Sequence, residues 1–221
     1  MRRSLIFCTI LISLSFVAST QSFGVCAGLS KTQIRSQFLT DPSGTVGLNV
    51  GFINFIPISD IFIYQDFTIN TLGMTATLYE FDEDYFGNPL VITHPDEKLG
   101  WFSAQYSIGP TFAYEDGQFY GGGGLSGCMI VPSGGAFDYG TTSSYYFVTS
   151  EPYAYSVVNL STNMFGFFGG AYIVGGGGTE TLKLHLKYNL MFTNLAKTEY
   201  NSGENKLYSD VLTISLAYLF M

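Results

Sequence analysis

The stretch Asp210–Met221, DVLTISLAYLFM, alternates between large apolar side chains and small ones. One face carries Leu212, Ile214, Leu216, Tyr218 and Phe220. The opposite face carries Thr213, Ser215 and Ala217, with Leu219 as the exception. Because successive side chains of a strand point to opposite faces, this period of two predicts a β-strand.

The same alternation recurs upstream. In Thr181–Phe192, leucines and aromatics share one face, and Thr181, Lys183, His185, Lys187 and Asn189 share the other. Regular strands are also predicted over Thr45–Phe52 and Phe102–Phe112. Less regular strands are predicted over Phe23–Ile34, Ile61–Glu80, Phe119–Val131 and Leu160–Val174. In Ile61–Glu80 the apolar face switches near Thr71, which indicates a bulge.

The chemistry of the weaker face decides between two kinds of β protein. A soluble sheet turns its apolar face inward and carries charges outside. Here the second face holds Gly, Ser, Thr, Asn and Gln with few charges, and such small residues suit the crowded interior of an eight-stranded barrel. The apolar face must then point to lipid. The sequence therefore predicts an all-β fold, an eight-stranded antiparallel transmembrane β-barrel.

The predicted connections alternate between long and short. Long ones are Phe81–Gly100, Pro132–Asn159 and Thr193–Ser209, and short ones are Pro57–Asp60, Ala113–Gln118 and the tight turn Gly175–Gly178. Outer-membrane barrels have short periplasmic turns and longer extracellular loops. Both ends of the barrel are thus expected in the periplasm.

The N-terminus has the layout of a secretory signal. Arg2 and Arg3 precede the apolar run Leu5–Val17, and small residues follow, so cleavage is expected between Ala18 and Ser22. We therefore assign residues 1–20 to a signal peptide and residues 21–221 to the barrel domain, with the bacterial outer membrane as its location.

Composition limits the partners. Charged residues make up 12% of the chain and the net charge is −8, without a basic patch, so nucleic acid is not an expected partner. The expected partners are outer-membrane lipid and the barrel assembly machinery. The sequence identifies no external partner and predicts no cofactor.

The candidate site is a polar cluster inside the barrel. By parity, Lys183, His185 and Lys187 point inward, and Asp66 is the clearest inward acid. Buried ammonium groups require partners, so Asp66 is expected to reach Lys183 or Lys187. The alternative is that each lysine extends to the nearer mouth of the barrel.

The chain is not expected to be an enzyme. His185 has no nucleophile or carboxylate at a spacing that would form a catalytic set, and His94 lies on a different element, so a metal motif is missing too. The runs Gly121–Gly124 and Gly175–Gly178 lack the helix that a phosphate loop needs. Cys26 and Cys128 are predicted to lie too far apart for a disulfide.

Four short motifs carry a family resemblance. They are Phe23–Leu29 (FGVCAGL), Gly109-Pro110, Tyr188-Asn189 running into Thr193-Asn194-Leu195, and the closing Leu216–Phe220 (LAYLF). The chain resembles the porin-like small outer-membrane β-barrel family common in Bacteroidetes. The resemblance implies an outer-membrane barrel without catalytic residues, and an aromatic assembly signal at Phe220. Cys26 stands where that family often has a lysine.

These features favour a non-enzymatic outer-membrane barrel that presents external loops for contact or serves membrane structure and assembly. A soluble periplasmic lipocalin-like barrel that binds an apolar ligand is the alternative. A small channel is disfavoured because eight strands leave no aqueous lumen.

Overall fold

The computed structural model describes residues 22–36, 42–83, 89–114, 118–135, 145–148, 155–158, 167–193 and 207–220. The expected signal peptide, residues 1–20, lies outside these ranges. In the described part of the chain, no helix is long and apolar enough to cross a membrane.

Eight long strands form the body of the molecule. They are β1 Ser22–Ser36, β2 Val46–Ile58, β3 Ile61–Glu83, β4 Pro89–Tyr114, β5 Phe119–Gly135, β6 Phe167–Gly178, β7 Leu182–Met191 and β8 Leu207–Phe220. Alternating β-branched, aromatic and small residues favour these strands because such a sequence fits a pleated sheet with two different faces.

Every strand pairs antiparallel with its chain neighbours, and the last pairs with the first. β1 and β8 run in register from Phe23 opposite Phe220 to Ser36 opposite Leu207. β3 and β4 also pair, so the sheet has no open edge around the ring. The protein is an all-β, closed, eight-stranded antiparallel barrel, as the sequence predicts.

Two small additions lie at the end of the barrel that carries the longer connections. The two-residue strand Ser43–Gly44 pairs with β3 at Met74 and Thr75. Strand Tyr145–Val148 pairs with Tyr155–Val158 in a separate hairpin. The connection predicted over Pro132–Asn159 therefore contains secondary structure, because it holds this hairpin and the end of β5.

Three further sequence expectations are wrong in detail. The run Gly175–Gly178 is not the turn: it pairs with β5 and β7 inside the sheet, and the chain reverses at residues 179–181. The expected loop Phe81–Gly100 is mostly strand, since β3 and β4 pair as far as Glu83 opposite Pro89. The irregularity of β3 lies between Ala76 and Leu78, not near Thr71.

Alternation separates the inside from the outside of the barrel. On β8, the outward Leu212, Ile214 and Leu216 are exposed, whereas the intervening Thr213 and Ser215 are buried. On β3, Leu72 and Met74 are also buried, so the apolar residues beyond Thr71 point inward without a change of register there. The barrel is thus apolar outside and mixed inside.

Candidate functional site

β7 delivers three titratable side chains to the interior. Lys183, His185 and Lys187 are 7%, 2% and 2% exposed, while the leucines between them are exposed on the outer surface. Strand alternation alone produces this separation. The structure therefore places all three side chains where their parity in the sequence puts them.

Asp66 reaches the same region from β3. Its carboxylate Oδ2 contacts the Lys187 ammonium, and both side chains are almost fully buried. The structure thus brings Asp66 and Lys187 together as an interior ion pair. A buried ion pair requires close geometry and further hydrogen bonds, because desolvation of both charges is costly.

Tyr64 supplies one such hydrogen bond, and Tyr64 and Tyr120 together bring His185 into the same network. The Tyr64 hydroxyl donates to Asp66 Oδ2 at 2.7 Å and lies 2.9 Å from His185 Nε2. The Tyr120 hydroxyl lies 2.5 Å from His185 Nδ1. We call Tyr120, His185, Tyr64, Asp66 and Lys187 the interior polar chain.

In the interior polar chain, the hydrogen-bond donors can be assigned by starting from Asp66. Because the Tyr64 proton goes to the carboxylate, the Tyr64 oxygen must accept from His185 Nε2–H. His185 Nδ1 is then an acceptor, and Tyr120 donates to it. One neutral tautomer of His185 therefore satisfies both ring nitrogens.

Lys183 lies elsewhere on the same face. Its ammonium sits 5.9 Å from the centroid of the Tyr120 ring, within the range of a cation–π contact. Lys187 has a similar position, 5.5 Å from the Tyr172 ring centroid. Each of these two interior ammonium groups therefore lies beside an aromatic ring.

An aromatic cluster surrounds the interior polar chain toward the short-turn end of the barrel. Phe55 packs edge-on against Tyr64 and Tyr120, with centroids 5.5 and 5.1 Å apart. The Tyr64 and His185 rings stack at 5.5 Å. Tyr64 and Tyr120 were not among the residues predicted for the site, although Tyr64 shares the inward parity of Asp66 on β3.

Neutral polar side chains occupy the interior on the other side of the ion pair. Asn70 Oδ1 accepts from Asn49 Nδ2 at 2.6 Å and from Ser30 Oγ at 3.2 Å. Asn189 Nδ2 donates to Gln105 Oε1 at 3.3 Å. Side chains thus occupy the described interior, as expected for a barrel of this size. Some of their polar atoms hydrogen-bond to one another, whereas Asn49 Oδ1, Asn70 Nδ2 and Asn189 Oδ1 have no partner among the described residues.

The remaining candidate residues are placed as follows. Cys26 and Cys128 are buried free thiols. Within the described ranges, no group of three or more His, Cys, Asp or Glu side chains could hold a metal ion. His94 falls where the structure describes no side chains.

The outer surface is the second candidate functional feature. Large apolar side chains are exposed on all eight strands. They include Leu29, Leu48, Val50, Phe52, Ile69, Phe102, Phe112, Leu125, Met129, Ile173, Leu184, Leu186, Leu212, Ile214, Leu216 and Tyr218. We call this ring of residues the apolar belt.

Aromatic rings border the apolar belt at the short-turn end. Phe23 stacks against Phe52 at 5.7 Å and against Phe220 at 6.1 Å, and Phe220 meets Tyr218 at 5.4 Å. These four rings lie where β1, β2 and β8 meet. Fold and site together define a closed barrel with a filled interior and an apolar exterior.

Comparisons with known proteins add little. No family model matches the chain, and no curated protein matches it. Among solved structures it is similar to Ail, the attachment invasion locus protein of Yersinia pestis, crystallised in complex with the heparin analogue sucrose octasulfate. That similarity has a TM-score of 0.41 and 11% identity, over 90% of this chain and 99% of Ail. The barrel assignment rests on the strand pairing itself.

Proposed function

We propose that this protein is an integral, non-enzymatic outer-membrane β-barrel that presents its longer external connections for contact outside the cell. The apolar belt is the observation that carries the proposal. Monomeric soluble proteins rarely expose contiguous apolar patches beyond a few hundred Å², and a belt on all strands exceeds that pattern. Contact with lipid removes the free-energy cost of exposing such a surface to water.

The height of the apolar belt fits a membrane. On β8 it runs from Leu212 to Phe220. At about 3.4 Å per residue and a strand tilt of about 40°, this stretch rises roughly 20 Å. The apolar band of an outer-membrane barrel is about 25 Å tall. The aromatic rings at the short-turn end correspond to one girdle of such a band.

Connection lengths favour one orientation. At one end the chain reverses at Ser59–Asp60 and at residues 179–181, and Tyr114 and Phe119 of the successive strands β4 and β5 pair with each other. At the other end it extends through the paired ends of β3 and β4 and through the separate hairpin. We assign the first end to the periplasm and the second to the exterior. Phe220, exposed on β8, is then available to the barrel assembly machinery.

The interior argues against the two alternatives. A lipocalin-like barrel would hold its ligand among inward apolar residues and expose polar ones, whereas here the outward face is apolar and the inward face is mixed. A channel needs an aqueous lumen, whereas the described interior is filled by the interior polar chain and the aromatic cluster. The geometry therefore favours a closed barrel that acts through its surface.

Fractionation combined with surface proteolysis tests the proposal. We expect the protein, exported in a Gram-negative host, to enter the outer-membrane fraction and to migrate differently on gels before and after boiling. Protease added to intact cells should cut between residues 136 and 166 or between 194 and 206, and spare the turn at Ser59. Recovery as a monodisperse periplasmic protein without detergent would refute the proposal.

A further inference from the structure

On the part of the outer surface whose side chains the structure describes, charge is confined to one place. Among the side chains that the structure describes on the outward faces of the eight strands, only Lys31, Arg35 and Asp210 are charged. Lys31 and Arg35 lie on β1, and Asp210 lies on the neighbouring β8, opposite Gln33. All three lie toward the external end of the apolar belt: Lys31 is level with Leu212, and Arg35 and Asp210 lie beyond it.

Several hydrogen bonds hold the Arg35 side chain in place. Its partner Asp210 also accepts hydrogen bonds from other groups. Its Nε and Nη2 donate to the two Asp210 oxygens at 2.5 and 2.9 Å, and Nη2 also donates to the Met191 carbonyl at 2.8 Å. Asp210 further accepts from the Tyr188 hydroxyl at 3.0 Å and from the Met191 N–H at 2.9 Å. The Asp210 side chain is 0% exposed, whereas that of Arg35 remains 41% exposed.

Lys31 leaves this group with a net positive charge. It is exposed, and no ion pair to it occurs within the described ranges. It pairs with Leu212 and Val46, at the margin of the apolar belt. A cation in that position is attracted by anionic groups at a membrane surface, although the net charge of the whole chain is −8.

We propose that Lys31, Gln33 and Arg35 bind the phosphate group of an outer-leaflet lipid; this rests on the proposed membrane insertion. The three residues occupy successive outward positions of β1, with roughly 13 Å between the outer two Cα atoms. Lys31 at one end, and at the other the Nη1 of Arg35, which neither Asp210 nor Met191 engages, can reach a group in front of Gln33, whose amide is a further donor. Guanidinium and ammonium groups are the usual protein partners of phosphate.

The lipid preference of the folded barrel tests this site. Native mass spectrometry in a non-ionic detergent would compare Kd for phosphorylated lipid A and for its dephosphorylated form. We expect tighter binding of the phosphorylated form. Lys31→Gln should raise its Kd by about fivefold, the scale for losing one basic group near an anionic membrane surface. Arg35→Gln combined with Asp210→Asn, which removes the pair without orphaning a charge, should act similarly.

Matched controls separate the possible outcomes. Lys31→Arg keeps the charge and should stay within about twofold of the wild type. Inorganic phosphate should displace the lipid only far above the lipid Kd, and displacement at a similar concentration would overturn the lipid assignment. Equal affinity of wild type and Lys31→Gln would overturn the site itself. If wild type does not fold in detergent or insert into vesicles, the proposed function fails instead.

Discussion

Asp66 and Lys187 meet although 121 positions separate them in the chain. Each was identifiable from parity, because alternation fixes which face a strand residue occupies. The pair is consistent with an interior fixed by specific polar contacts rather than by apolar packing alone. Tyr64 donates a hydrogen bond to Asp66 Oδ2, whereas the described residues provide no partner for the buried Asp66 Oδ1.

A double-mutant cycle measures the pair. Asp66→Asn or Lys187→Gln alone should lower the free energy of unfolding by about 3–5 kcal/mol, since each leaves the other charge buried. The double variant should lose less than the sum of the two. The measurement is urea unfolding of detergent-folded protein.

The control for this cycle is Lys31→Gln, which makes the same chemical change on the outer surface. Combined with Asp66→Asn, it should give additive losses, because the two residues share no partner. Additive losses for Asp66 and Lys187 as well would contradict the direct ion pair.

The sequence predicted which face of its strand each of these residues occupies, but it did not predict which inward residues contact one another. Tyr64 and Tyr120 bond to His185 from strands that are not its neighbours in the sheet. Which inward residues share a level depends on the stagger between strands, and the stagger is set by the registers of all eight pairings. Parity of one strand holds no information about that stagger.

At the scale of elements, the prediction that the glycine run Gly175–Gly178 forms the last short turn was wrong. Gly176 lies in β6, paired with Tyr120 on β5. A methyl group there would come within 2.5 Å of the Tyr120 ring, so the missing side chain makes room for the tyrosine that bonds to His185. A run of four glycines resembles a turn locally, but here Gly176 lets the Tyr120 side chain pass over β6 to His185 on β7.

Gly178, at the end of this run, has a different backbone environment from Gly175 at its start, so substitutions at the two positions should differ in their effect on stability. Gly178 has φ of 153° and borders the real turn, and a side chain there would meet the Leu182 carbonyl. We expect Gly178→Ala to cost about 1–3 kcal/mol of folding stability, the scale of one strained residue. Urea unfolding in detergent would measure the loss.

Gly175→Ala is the matched control. The nearest heavy atom to its added methyl group would be the Tyr120 carbonyl oxygen at 3.5 Å, an ordinary contact. It should change stability by no more than about 0.5 kcal/mol. Equal losses at both positions would contradict the placement of the turn at residues 179–181.

The extended pairing of β3 and β4 was also beyond sequence reasoning. Their outer halves contain prolines and clustered acids, which are typical of loops. The two strands nevertheless remain paired past the end of β2. Cooperative continuation of a hairpin that the barrel already holds in register outweighs these weak local preferences.

For the whole molecule, the decisive property is the direction in which the apolar residues point. The strand count and the barrel followed from the alternation and from the small residues between the apolar ones. The interior arrangement, in which an ion pair is hydrogen-bonded to a tyrosine, could not be predicted from the sequence and is seen only in the structure. Because the polarity is reversed relative to a soluble barrel, the account predicts that lipid contacts the outward face and does not reach the inward one.

Fluorescence quenching by brominated lipid tests this most directly. Trp101 is the only tryptophan of the chain, and it points inward at 1% exposure, whereas Leu216 points outward at 56%. In vesicles, brominated acyl chains should quench the native Trp101 weakly. They should quench most of the emission of a Trp101→Phe, Leu216→Trp variant. Equal quenching of the two proteins, or stronger quenching of Trp101, would contradict an outward face in contact with lipid.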